Sequence, residues 1–201
     1  KSCYVNYHPY GVVGIISPWN YPLILSLNPI LHALMAGNTV VIKPSEITPY
    51  TTLKIKEFFN RAGLPDGALQ VVTGKAETGA SLVESKNTDM ICFTGSTATG
   101  RIIGAVCGKM LKPVILELGG KDPMVVFADA DLERAAKGAI WGGFFNSGQT
   151  CISVERVYIE KSAYSEFVDL LKEEYKHVKQ GLEEEFPSVG SMTFEKQVSI
   201  V

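Results

Sequence analysis

The sequence predicts an α/β fold: a five-stranded parallel sheet with helices on both faces, followed by an incomplete second α/β lobe. Three observations carry this. Short β-rich runs alternate with helical stretches from Gly11 to Leu118, and such alternation implies parallel βαβ units. Right-handed crossovers then distribute the helices over both faces of one open sheet. After Gly120 a separate strand–helix–strand–helix pattern follows.

The elements read in order. Gly11–Ile16 (GVVGII) is an apolar run suited to a buried strand. Pro22–Ala36 reads as a helix stopped by Gly37-Asn38, since glycine commonly follows a helix C-terminus. Thr39–Ile42 is a second strand, and Thr48-Pro49 reads as an N-cap with proline in the first turn. That helix runs to Ala62 before Gly63. Leu69–Val72 is a strand, Ala76–Glu84 a helix, Met90–Phe93 a strand, Thr99–Met110 a helix and Pro113–Leu118 the fifth strand. In the second lobe, Met124–Phe127 and Arg156–Glu160 read as strands. Asp131–Phe145 reads as a helix, with Asp129 or Asp131 near its start. Ala163–Lys179 is amphipathic, with Phe167, Leu170, Leu171 and Tyr175 on one face. A last helix begins near Thr193 and is expected to run to Val201.

Composition removes several classes. The 201 residues are 46% hydrophobic, enough for one or two cores. Nineteen basic and 21 acidic side chains give a net charge of −2, which offers no electrostatic footprint for nucleic acid. No apolar run reaches the roughly 20 residues of a membrane span, and Lys1–Tyr10 lacks a signal-peptide core. The cysteines (Cys3, Cys92, Cys107, Cys151) have neither disulfide-framework nor zinc spacing, and His8, His32 and His177 are scattered. No metal is expected, and a reducing, cytoplasmic setting fits best.

Ligands of open parallel sheets sit beyond the carboxyl ends of the strands. The positions of interest are therefore Ser17–Asn20, Lys43–Glu46, Thr94–Ser96 and Gly119-Gly120. Lys43 and Glu46 could grip the two hydroxyls of a ribose, or form a plain surface ion pair. Gly95–Arg101 has P-loop-like glycine spacing but lacks the lysine and the Ser/Thr of a nucleotide triphosphatase. Its amides and Ser96 could face a phosphate, or the segment could be only a tight turn. Glu117 lies between Leu116 and Leu118. Burial there would raise its pKa and suit a general base, whereas strand alternation allows it to face outward. Asn20 could donate its amide to an oxyanion, or serve as a turn residue. Cys92 and Cys107 read as small buried hydrophobes. Cys151 differs, because Gly148-Gln149-Thr150 precedes it and makes its surroundings polar. A thiol in such a setting is already nucleophilic.

Five segments together resemble the aldehyde dehydrogenase superfamily: Ser17-Pro18-Trp19-Asn20, Lys43-Pro44-Ser45-Glu46, Phe93-Thr94-Gly95-Ser96-Thr97, Glu117-Leu118-Gly119-Gly120-Lys121 and Gly148-Gln149-Thr150-Cys151. They occur in the family's order, and the resemblance extends over essentially the whole chain. It implies a Rossmann-like cofactor domain at 11–120 without the usual glycine fingerprint. The end of an oligomerisation hairpin at 1–10 and the first part of the catalytic domain at 121–201 are also implied. It implies Cys151 as nucleophile, Glu117 as general base, and Asn20 with the Cys151 amide as oxyanion hole. Lys43 and Glu46 would hold the adenosine ribose, Gly95 and Ser96 would lie by the pyrophosphate, and Ile16, Trp19 and Leu118 would line the cofactor cleft. The implied cofactor is NAD, with NADP as the alternative. The implied partners are an aldehyde substrate and further copies of the chain in a homodimer or homotetramer. The expected reaction oxidises an aldehyde to an acid through a thiohemiacetal and a thioester. Competing readings are a CoA-acylating relative, against which Glu117 speaks, and a non-catalytic scaffold, against which Cys151, Glu117 and Asn20 speak. Family members are more than twice this length, so the 201-residue stretch alone is expected to be inactive.

Overall fold

A run of apolar β-formers can be covered on both faces only when helices pack above and below it, and the first half of the chain meets that condition. In the computed structural model, which describes residues 2–181 and 187–199, five strands form one sheet. They are β1 (Val12–Ile16), β2 (Thr39–Lys43), β3 (Leu69–Val71), β4 (Met90–Thr94) and β5 (Val114–Glu117). Their order is β3-β2-β1-β4-β5, and every pairing is parallel. The connecting helices are α1 (Ile24–Met35), α2 (Pro49–Arg61), α3 (Ala76–Glu84) and α4 (Thr97–Met110).

Side-chain alternation sorts the strands between two cores. Val13, Ile15, Val40, Ile42 and Leu69 pack with Ile30 and Ala33 of α1 and Ile55 of α2. Ile91 and Phe93 point the other way, into Val83 of α3 and Ile103 and Cys107 of α4. Beneath α3, the buried Lys112 donates to the carbonyls of Val83 (2.7 Å) and Ser85 (2.8 Å) and to Thr88 Oγ1 (2.8 Å). All three ammonium protons are thereby satisfied.

Several boundaries differ from the sequence reading. Helix α1 starts at Ile24, because Pro22 and Leu23 form a turn. Thr48 occupies the N-cap position of α2, yet its hydroxyl makes no capping bond. It donates instead to the Trp19 carbonyl at 3.4 Å. Helix α4 begins two residues early, at Thr97, because Ser96 caps it by accepting from the Thr99 amide at 3.2 Å.

The chain divides after Leu118 into a second unit. Strands β6 (Asp122–Val126) and β7 (Val154–Ile159) pair in parallel, with a register shift at Pro123, which has no N–H to give the ladder. Helices α5 (Leu132–Phe144) and α6 (Tyr164–Tyr175) supply Ala136, Ala139 and Phe167, which close over Val126. Asp131 is the N-cap of α5 and accepts from the Arg134 amide. Leu170 and Leu171 join Phe167 in the core. Tyr175 stays largely exposed, its ring 6.0 Å from that of Phe144. The helix expected from Thr193 is a single turn, α7 (Glu195–Val198), and its expected continuation to Val201 lies outside the described residues. Among the described residues no helix is long and apolar enough to cross a membrane.

Ile91 is fully buried between α3 and α4, whereas Ile102 of α4 is 66% exposed. In chemical denaturation, Ile91→Ala is expected to destabilise by about 2–5 kcal/mol, the usual cost of emptying a core site. Ile102→Ala should stay within about 0.5 kcal/mol.

Candidate active site

Parallel pairing brings the carboxyl ends of all five strands to one edge. In register, Lys43 lies beside Ile16, Ile16 beside Phe93, and Thr94 beside Glu117. The order β3-β2-β1-β4-β5 makes β1 and β4 the point where the connections diverge, and crevices open there. The loops after these two strands carry Ser17–Asn20 and Gly95-Ser96. The Ser17 amide donates to the Lys43 carbonyl at 3.2 Å, so the loop departs directly from the sheet. Trp19 and Asn20 are half-buried in it.

Lys43 and Glu46 form the expected pair, with Nζ 3.1 Å from Oε2. It is lopsided: the Lys43 side chain is 7% exposed and that of Glu46 47%. A backbone hydrogen bond, helped by Lys43 and by the charge of Lys75, holds the Glu46 carboxyl below its ordinary range against the opposing effect of burial. The pair is therefore a buried cation presenting a carboxylate to solvent.

The turn after β4 lies on an aromatic ring. A Cβ on Gly95 would fall 2.5 Å from Phe93 Cζ, so only glycine fits there, and its amide donates to the Glu117 carbonyl at 3.0 Å. The Ser96 hydroxyl is engaged with its own helix, accepting from the Thr99 amide and donating to Thr99 Oγ1 at 3.0 Å. It thus caps α4. Leu118 and Ile16 are half-buried against the α3–α4 core, and Leu118 packs on Gly100, where a Cβ would come within 2.5 Å of Cδ2.

Glu117 takes the outward-facing one of its two readings. It is the last residue of an edge strand whose exposure alternates, and it is exposed. Alternation sends Leu116 inward and Glu117 outward.

Cys151 belongs to the second unit. Helix α5 stops at Phe144, one residue short of the expected end, because the backbone reverses hand. Asn146 (φ 54°), Ser147 (φ 59°) and Gly148 (φ 73°) are all left-handed. The two non-glycine residues cost about 1–2 kcal/mol each in that region, and local hydrogen bonds hold them. The Gln149 amide and Nε2 both donate to the Asn146 carbonyl, at 3.1 and 3.0 Å. Asn146 Nδ2 donates to the Gln149 carbonyl at 3.3 Å, and Thr150 Oγ1 to the Phe145 carbonyl at 3.2 Å. The next turn is closed by the Ser153 amide donating to the Thr150 carbonyl at 3.1 Å, and it leaves Cys151 exposed. The sequence reading did not single out Asn146 and Ser147. The signal was present in Asn-Ser-Gly, since asparagine and glycine enter this region most readily.

The model of the aldehyde dehydrogenase family matches residues 1–201. The chain belongs to that family. Phenylacetaldehyde dehydrogenase of Pseudomonas fluorescens is 51% identical over 81% of the chain, which spans 33% of that protein. Among solved structures, the NAD+ complex of an aldehyde dehydrogenase from Bacillus cereus superposes with a TM-score of 0.91 at 40% identity. It covers 96% of this chain and 40% of its own. An NADP-dependent enzyme from E. coli matches with a TM-score of 0.91 at 38% identity, over 96% of this chain and 40% of that one. The chain thus spans about a third of the length of the curated relatives it matches.

Glu46 gives a pH signature with a definite sign. A carboxyl whose folded pKa is lowered contributes stability that is complete above its unfolded value, near 4.3. That stability is lost as pH falls through the lower folded value. The Tm difference between the parent and Glu46→Gln should therefore shrink as pH drops from about 6 to about 3, and the effect should be small because the group is half exposed. A difference that grows in acid would contradict this sign.

Proposed function

We propose that the protein is an NAD(P)-dependent aldehyde dehydrogenase that oxidises an aldehyde to a carboxylic acid, with Cys151 as its nucleophile. The observation that carries the reading is the exposed Cys151 thiol, held in a braced turn of a chain that belongs throughout to the aldehyde dehydrogenase family. A nucleophile must be both reachable and fixed, and the left-handed turn supplies both.

The residues at the sheet edge fit a nicotinamide dinucleotide. Glu46, ionised and half exposed beside buried Lys43, can accept from two ribose hydroxyls. Gly95 keeps the backbone clear at the start of the 14-residue α4, so its first amides are accessible to a pyrophosphate. Ser96 acts there by holding those amides in place. Ile16, Trp19 and Leu118 provide apolar cover. When bound, the dinucleotide supplies the hydride acceptor.

The chain's own residues do the rest. The Cys151 thiolate adds to the aldehyde carbonyl and gives a thiohemiacetal. The side-chain amide of Asn20 and the backbone amide of Cys151 donate to the developing oxyanion, each worth roughly 3 kcal/mol in comparable acyl-transfer sites. Loss of hydride leaves a thioester on Cys151. Glu117, at the solvent end of β5, takes a proton from the water that hydrolyses it, and the carboxylic acid departs. We assign the intact protein to the cytoplasm, where its four free cysteines are in keeping, and to a homodimer or homotetramer. The exposed Tyr4, Val5 and Tyr7 support a subunit contact through residues 2–10.

Two measurements on the intact protein test this. Cys151→Ala is expected to abolish NADH production while leaving dinucleotide affinity in place, and Glu117→Gln to give one rapid NADH burst per site followed by slow turnover. Substantial steady-state activity in the first variant, or ordinary turnover in the second, removes the respective residue from its role. Separately, kcat/KM should favour NAD over NADP, because a 2′-phosphate would meet the Glu46 carboxylate, only partly offset by Lys43. Glu46→Gln should narrow that preference, and a parent that uses NADP equally well refutes the assignment of Glu46.

A further inference from the structure

The loop that carries Asn20 is tied to the helices beneath it by side chains that play no part in the reaction above. Ser17 Oγ lies 2.8 Å from Ser26 Oγ of α1, and Ser26 Oγ lies 3.0 Å from Thr52 Oγ1 of α2. All three are buried, Ser26 and Thr52 completely. A second tie runs from Thr48 Oγ1 to the Trp19 carbonyl at 3.4 Å. Thr48 is the N-cap of α2 and Thr52 lies in its first turn, so both ties involve the start of that helix. Ser26 of α1, itself braced by Thr52 of α2, therefore holds the loop at its first residue, and Thr48 holds it at its third, directly before Asn20.

Hydroxyls in a core are an unusual choice. Alanine and valine would bury as much apolar surface there without any requirement for partners. A buried hydroxyl must be hydrogen-bonded or it is costly, so the three are satisfied together only when Ser17 sits within reach of Ser26 and Ser26 within reach of Thr52. A chain of this kind converts a tolerant apolar contact into one defined position. The position it defines is that of the loop leaving β1, where a displacement is amplified at the donor amide.

We infer that Ser26 and Thr52 are positioning residues, whose buried hydroxyl chain fixes the Ser17–Asn20 loop and so aims the Asn20 amide. The inference rests on the dehydrogenase reading for its catalytic consequence, and on the hydrogen-bond chain alone for the holding of the loop. Neither residue touches substrate or cofactor.

Thr52→Val, Ser26→Ala and the conservative Thr52→Ser, made in the intact protein, test it with two readouts. In hydrogen exchange, Thr52→Val and Ser26→Ala should speed exchange of the amides within 17–21 and leave those of 39–43 unchanged. In steady-state kinetics, kcat with an aldehyde should fall by roughly tenfold, the scale of a modest misalignment at a reacting centre, with KM for NAD within about twofold of the parent. Thr52→Ser should restore both. Unchanged exchange across 17–21 overturns the inference. So does increased exchange with unaltered kcat, or a loss that follows global Tm and is not rescued by serine. If the parent oxidises no aldehyde, the dehydrogenase reading falls, and the exchange data still decide whether these hydroxyls hold the loop.

Discussion

Parallel pairing is the constraint on which the remaining features depend. Strands that all run one way end on one edge, and the connection after each must cross back over the sheet before the next begins. That single geometric fact gathers Ser17–Asn20, Lys43–Glu46, Gly95-Ser96 and Glu117 from a stretch of a hundred residues onto one rim. It also imposes the burial that makes the strands so apolar. With α1 and α2 on one face and α3 and α4 on the other, β1, β2 and β4 have no solvated side. Polar chemistry is thereby pushed out of the strands and into the residues that follow them.

The fold was legible in the sequence because its two strongest signals agree. Apolar runs such as GVVGII and TVVI are bounded by glycine and by helical stretches of the right length for crossovers, so strand positions came within a residue or two of those observed. What could not be read was anything decided by a partner distant in sequence. Thr48 has the residue type of an N-cap and the proline that should follow one, yet its hydroxyl is taken by Trp19, a residue of another loop. Ser96 is the local case, its hydroxyl engaged by the first turn of its own helix. The segments around Cys151, Glu117 and Asn20 were identified by type and order, and of the two settings open to Glu117 the strand takes the outward one. Apolar neighbours in a strand say little about the residue between them, which faces the opposite side.

The two units hold their candidate site residues by different physics. At the sheet edge, position comes from the ladder, and glycine is needed only where Phe93 leaves no room for a Cβ. At Cys151 the backbone is held in an unfavourable hand by hydrogen bonds among Phe145, Asn146, Gln149 and Thr150. Strain of that kind persists only where its surroundings over-determine it, which is why Gln149 and Thr150 are as much part of the setting of Cys151 as its own turn is.

The lopsided pair of Lys43 and Glu46 has a consequence for how such a protein can diversify. The lysine is sealed into the end of β2, where any replacement must solve a packing problem. The glutamate stands at the surface and contributes little to the core, so a change there leaves the packing intact and costs mainly the partner of the buried Lys43 ammonium. On the proposed placement of the adenosine ribose at this pair, selectivity between two closely related dinucleotides would sit on its more exposed member. A lineage could exchange one redox currency for the other by substitution at a single exposed site, with the architecture beneath it left as it was.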